Sequence, residues 1–147
     1  PELAIDANDQ PLPPRRIQAV IKENRERATF NPNTAIVWGY KGSGQLKDGK
    51  PTFKGTMHRT LGNVAIKNGL LFVADFSGLV HCLDAKPTDG HPVVHWTHDL
   101  ASAAWGTPLI VEDKVYIGNE EGDVTIFALS KSKQIISTVT CEESIQT

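Results

Sequence analysis

Residues 61–85 read LGNVAIKNGLLFVADFSGLVHCLDA, and residues 105–129 read WGTPLIVEDKVYIGNEEGDVTIFAL. Laid one on the other without a gap, at an offset of 44, they bring Gly62 onto Gly106, Ile66 onto Ile110, Phe72 onto Tyr116 and Gly78 onto Gly122. Each copy is three short apolar runs separated by turn residues. A period in the low forties built this way is the signature of propeller blades. The expected fold class is all-β: four-stranded antiparallel β-propeller blades of period 44 in an incomplete ring, with an N-terminal loop and short-helix insertion.

Working outward from the repeat, strands at 62–67, 70–75, 79–84 and 93–98 give one blade over 60–100. Strands at 106–111, 114–119, 123–128 and 134–140 give a second over 101–141. Asn68-Gly69 is a strong two-residue hairpin signal, and Phe76-Ser77-Gly78 and Glu120-Glu121-Gly122 mark the next turns. The run Leu70 to Ala74 is apolar at every position rather than alternating, which suits a sheet stacked between two others. The expected core is Ile66, Phe72, Val73, Val80, Cys82, Ile110, Tyr116, Ile117, Val124 and Ile126, the equivalent inner positions of both copies.

Residues 35–40 read as the last strand of a preceding blade, the counterpart of 93–98, with Trp38 matching Trp96. Residues 41–59 are an inter-blade loop containing Gly42, Gly44, Gly49 and Gly55, and 142–147 start a further blade. Residues 1–34 do not resemble a blade, because Pro11, Pro13 and Pro14 forbid a central strand. Pro14 can instead open a short amphipathic helix over about 14–26, with Ile17, Val20 and Ile21 on one face.

At 147 residues and 39% hydrophobic, the chain holds too little for a ring of roughly four to eight blades. Both ends are expected to leave unpaired edges, so the remaining blades come from the same parent protein or from other chains. Formal net charge is -2 with scattered basic residues, which gives no support to a nucleic-acid partner. No apolar run approaches the roughly 20 residues of a spanning helix, and no signal peptide is visible at Pro1-Glu2-Leu3. Two cysteines are too few for a disulfide framework, and Cys82, in an apolar strand, reads as a small buried hydrophobe.

The repeat resembles that of the pyrroloquinoline-quinone-like (PQQ-like) propeller family. The residues that carry the resemblance are Asp75-Phe76-Ser77-Gly78, Leu83-Asp84-Ala85 and Trp96, with Asn119-Glu120-Glu121-Gly122 as a second copy. The resemblance covers about 35–147 and implies a bacterial protein, periplasmic or otherwise exported. It also implies that Trp38 and Trp96 dock neighbouring blades, Trp96 near Trp105 and Gly106, a role suited to a large, flat, mostly apolar ring. The second blade departs from the pattern, with Ser137 at the tryptophan position.

Two branches of the family imply two functions. One, similar to the barrel-assembly lipoproteins of the outer membrane, is a non-catalytic scaffold for other proteins. The other, the quinone-dependent dehydrogenases, holds PQQ and calcium. Adjacent cysteines of the kind found in that branch are missing, and Glu112, Asp113, Glu120, Glu121 and Asp123 lie in or beside turns without the alternating span of a calcium loop. His95 and His98 are three apart and point to opposite faces of a regular strand, so they and His91 read as structural or surface groups. His58 and Arg59, just before a first strand, are the polar pair placed to line a channel mouth. The expectation is a scaffold that binds neither cofactor, with the dehydrogenase fragment as the alternative.

Overall fold

The structure, a computed structural model, describes residues 37–42, 44–87 and 90–146. The insertion at 1–34 and its helix at 14–26 lie outside the described residues. Val37, Trp38 and Gly39 belong to a compact unit of their own, Pro1–Gly39, and have irregular backbone rather than the strand expected for 35–40. A strand needs a ladder partner, and none is present there among the described residues. Trp38 is half-buried.

Within Tyr40–Thr147, ten strands are described. β1 (Leu46–Lys47) and β2 (Lys50–Pro51) form a small hairpin inside the expected loop, followed by a 3-10 turn at Phe53–Gly55. β3 (Ala65–Lys67), β4 (Leu70–Ala74), β5 (Leu79–Asp84) and β6 (Val94–Asp99) make one antiparallel sheet in chain order. β7 (Leu109–Val111), β8 (Lys114–Gly118), β9 (Asp123–Ala128) and β10 (Ile135–Thr140) make the second in the same order. These are two β-propeller blades.

Turn chemistry fixes the register. Asn68 and Gly69 both take positive φ, 52° and 76°, so Lys67 pairs with Leu70 across a two-residue turn whose twist matches the strands. Glu112-Asp113 closes the equivalent turn of the second sheet, pairing Val111 with Lys114. Hydrogen bonds repeat with the sequence: Phe76 N–H donates to Arg59 O at 2.7 Å, and Glu120 N–H to Ala103 O at 2.8 Å.

The core lies between the sheets. Leu70, Phe72, Ala74, Val80, Cys82 and Trp96 of the first meet Val115, Ile117 and Phe127 of the second. Phe72 and Phe127 are wholly buried, each contributing roughly 2–3 kcal/mol of apolar transfer. Of the ten expected core residues, Phe72, Val73, Val80, Cys82 and Ile117 are buried. Tyr116, Val124 and Ile126 are only half-buried, because they lie on the face of the second sheet turned away from the first. Ile110 is half-buried against the core, and Ile66, on the short edge strand β3, is 58% exposed.

Candidate functional site

Polar residues concentrate where β4 turns into β5. Asp75, fully buried, accepts through Oδ1 from Ser77 N–H, Ser77 Oγ and Leu79 N–H at 3.1, 2.6 and 3.0 Å, and through Oδ2 from His58 N–H at 3.0 Å. Burial alone would raise its carboxyl, but the His81 imidazole, Ser77 and the two backbone donors prevail and hold it at about 2. His81, also fully buried, has Tyr40 Oη and Thr97 Oγ1 each 3.1 Å from Nδ1. Its Nε2 faces Asp75 Oδ2 at 3.6 Å, longer than a hydrogen bond. The carboxylate on that side favours the proton on Nε2, leaving Nδ1 to accept from a hydroxyl. Burial raises the Tyr40 phenol above its ordinary value; a Thr97 hydrogen bond opposes the shift, and the Asp75 charge adds to it.

The second copy builds the same turn with an amide. Asn119 Oδ1 accepts from Glu121 N–H at 3.1 Å and Asp123 N–H at 2.8 Å, and its Nδ2 donates to Leu100 O at 3.4 Å. Gly78 and Gly122 complete the two turns at φ 90°, and a Cβ on Gly78 would lie 2.2 Å from Ser102 O.

Of the expected docking residues, Trp96, Trp105 and Gly106 sit at the junction of the sheets, and Trp38 belongs to the unit Pro1–Gly39. Trp96 stacks on Phe127, centroids 5.1 Å apart, and its Nε1 donates to Ser130 O at 3.1 Å. It thus meets the second blade at β9 and the turn that follows. Trp105 packs edge-on against Phe76 of the first blade at 4.8 Å. Gly106 O lies where a Cβ on Gly62 would stand, so the segments leading into β3 and β7 approach backbone to backbone. His58 packs against Phe53 at 4.2 Å, with Nε2 3.1 Å from Phe53 O. Arg59, exposed, lies over the Phe76 ring at 5.3 Å. Both members of the pair therefore brace the entry to the first blade.

A bulge does occur at His95, between the pairs Cys82–Trp96 and Leu83–Val94, yet it does not bring the histidines together. His95 Nε2 donates to Asp84 Oδ1 at 2.8 Å, while His98 packs edge-on against Phe127 at 5.2 Å. Beside β6 runs an open groove of about 750 Å³, bounded by Gln45, Lys54 and Lys133. Cys82 is inert: burial, reinforced by Asp84, pushes its thiol up to about 12.

The carboxylates weighed as calcium ligands do not converge among the described residues. Glu112, Glu120 and Glu121 are exposed, Asp113 is paired with Lys114 at 3.0 Å, and Asp123 accepts from Thr140 Oγ1 at 2.6 Å. Calcium takes six to eight converging oxygens, and no group of three or more candidate ligands converges among the described residues. Likewise, no helix there is long and apolar enough to cross a membrane. Sequence reasoning missed Tyr40, Thr97, Phe127 and Ser130 as partners, since each is brought in from a distant element with no local motif. The hairpin at 46–51 had a readable signal in Asp48-Gly49.

No protein-family model matches the chain, and no curated protein does. Solved structures similar to it include BamB from Moraxella catarrhalis, at 23% identity and TM-score 0.47, covering 55% of this chain and 24% of that one. Another is a europium-containing methanol dehydrogenase, at 24% identity and TM-score 0.43, covering 58% of this chain and 15% of that one. The chain therefore spans 24% or less of the length of either. The likeness is one of fold alone.

Proposed function

We propose that this chain is a stretch of a non-catalytic, exported β-propeller that serves as a protein-interaction scaffold. The observation that carries the reading is the uneven covering of one repeated face. On the first sheet, Phe72, Val80 and Cys82 are 0% exposed beneath the second. Their counterparts Tyr116, Val124 and Ile126 are half-buried, and Leu109 and Val139 beside them are 60% and 52% exposed. An apolar face built on the same repeat and left open is a receiving surface. Its occupant is a further blade, from the same parent protein or another chain.

The polar residues support the same reading. Asp75, His58 and Asn119 satisfy backbone groups in the turns, His81 bonds to the Tyr40 and Thr97 hydroxyls, and Trp96 and Trp105 join the sheets, so the chemistry of these groups is directed at rigidity. The periplasmic location follows from the sequence resemblance. Calorimetric titration with calcium and with pyrroloquinoline quinone tests the reading. No heat of one-to-one micromolar binding is expected; such a response would favour the dehydrogenase fragment and overturn the scaffold.

A further inference from the structure

We infer that the outer edge of β6 is a peptide-binding groove whose occupant is an extended acidic segment of a partner protein, added to the first sheet as a further strand. β6 is the outermost strand of its sheet and pairs with no strand beyond β5 among the described residues. The groove of about 750 Å³ beside it is lined by every residue of the strand, Val94 to Asp99. Past the bulge, Trp96, Thr97, His98 and Asp99 alternate between the two faces, so a groove touching all four straddles the edge itself. Leu100 N–H donates to Gly78 O at 2.9 Å, which makes Val80 with His98 and Cys82 with Trp96 the hydrogen-bonded pairs of the ladder. The N–H and C=O of Thr97 and Asp99 therefore point outward. An extended backbone offers a matching donor and acceptor at every second residue, as a small anion does not.

The two walls carry the same charge and come from different elements. Lys133 belongs to the second blade, on the side where Trp96 and His98 meet Phe127. Lys54 comes from the loop before the first blade and lies 3.2 Å from Asp99. Both lysines are exposed, and Lys133 has no ion-pair partner among the described residues. Asp84, behind His95, is already matched by Lys131 at 3.2 Å. With its histidines neutral the groove is thus net positive, on a chain whose formal net charge is -2. The field reaches the edge strand. Burial first, then the Lys133 charge, holds the His98 imidazole below its ordinary value; Asp99 opposes the shift and Lys54 adds to it.

Lysines beside an edge ordinarily keep other strands away. Here they also select: a neutral strand would cover an unmatched ammonium and a basic one would meet like charge, while a strand bringing carboxylates satisfies both walls. Adjacent side chains of such a strand face opposite walls, so neighbouring carboxylates meet Lys133 and Lys54 in turn. Ion pairs of this exposure add little affinity and mainly fix which strand is accepted. The edge lies apart from the open face of β8 and β9. The inference rests on the scaffold reading for its partner's being a protein; the calcium and quinone titration decides that reading, and a peptide titration decides this one.

The probe is a fluorescein-labelled peptide of β-branched residues carrying two adjacent glutamates, titrated with the full chain and followed by anisotropy. Reversible one-to-one binding is expected, weakened about tenfold when glutamine replaces both glutamates and about tenfold by Lys133→Glu. Methylating backbone nitrogens of the peptide separates strand addition from bulk attraction. Methyl groups on the residues whose N–H faces β6 should abolish binding, and those on the alternate residues should leave it intact. In amide spectra of the complex, Thr97 and Asp99 should shift. No binding, equal binding of the glutamine peptide, indifference to Lys133→Glu, or equal tolerance of both methylation patterns would overturn the proposal. So would shifts confined to β10 or to the face of β8 and β9. Self-association of the chain that the peptide reverses would give the edge to a second copy and overturn it as well.

Discussion

The first sheet is buried on both faces and the second on one, although the same repeat wrote both. β4 is buried at all five positions, whereas β8 alternates, with only Val115 and Ile117 buried. Strand character is thus a property of the repeat, while burial is a property of the neighbours. The turns differ in a second way. Asp75 receives a backbone N–H from His58, and Asn119 gives an N–H to Leu100 O, so one geometry is held by an acceptor in one blade and partly by a donor in the next.

The sharpest way to break the comparison is to truncate matching rings. Phe72→Ala should destabilise by about 3–5 kcal/mol, and Trp96→Ala by a similar amount, as buried aromatics do. Tyr116→Ala should cost about 1 kcal/mol, in line with a half-exposed site. Urea unfolding checks this, and equal losses at Phe72 and Tyr116 would mean that the second sheet is covered as fully as the first.

Exchanging the turn residues probes the donor and acceptor roles. Asn119→Asp should destabilise by about 2 kcal/mol at neutral pH, because Leu100 O loses its donor and faces a carboxylate. Thermal unfolding should show the loss, and acid should relieve part of it by protonating the new group. A neutral substitution would show that the Leu100 contact is dispensable.

Asp75 gives the turn of the first blade a pH dependence that Asn119 cannot give the matching turn of the second. Its folded pKa, about 2, lies below the ordinary 3.8, so its contribution is present above that ordinary value and is lost as pH falls from there toward about 2. Acid titration of stability should show this drop, and Asp75→Asn should flatten it. An unchanged profile would mean that other carboxylates set the acid limit. The smallest effect belongs to the position where the second blade lacks its indole. Ser137→Ala, exposed, should stay within about 0.5 kcal/mol, and a larger loss in equilibrium unfolding would reveal a partner for β10 in the isolated chain.

The eight blade strands were legible because turn signals and apolar runs recur in register, and Asn68-Gly69 alone sets one hairpin. The Asp75-x-x-Gly78 turn was legible as a motif for the same reason. What the repeat could not reveal was anything joining distant elements. Tyr40 meets His81 across 41 positions, and Trp96 finds Ser130 across 34, through packing that no local pattern encodes. The half-burial of Val124 and Ile126 was also hidden, because an apolar residue has the same identity whether or not a neighbour covers it. His95 and His98 needed coordinates as well, since the bulge erased the alternation that had separated them.

The near-contact of Gly62 with Gly106 has a geometric consequence. Just before the first strands the two layers touch through bare backbone, while at the fourth strand of the first blade an indole stands between them. Two plates held tight at one margin and propped apart at the other form a wedge, and the taper of that wedge determines how many plates complete a circle. Adding a single methyl at Gly62 would thicken the narrow margin and flatten the taper. Two of the smallest side chains in the molecule thereby help to set the angular pitch of any ring it joins.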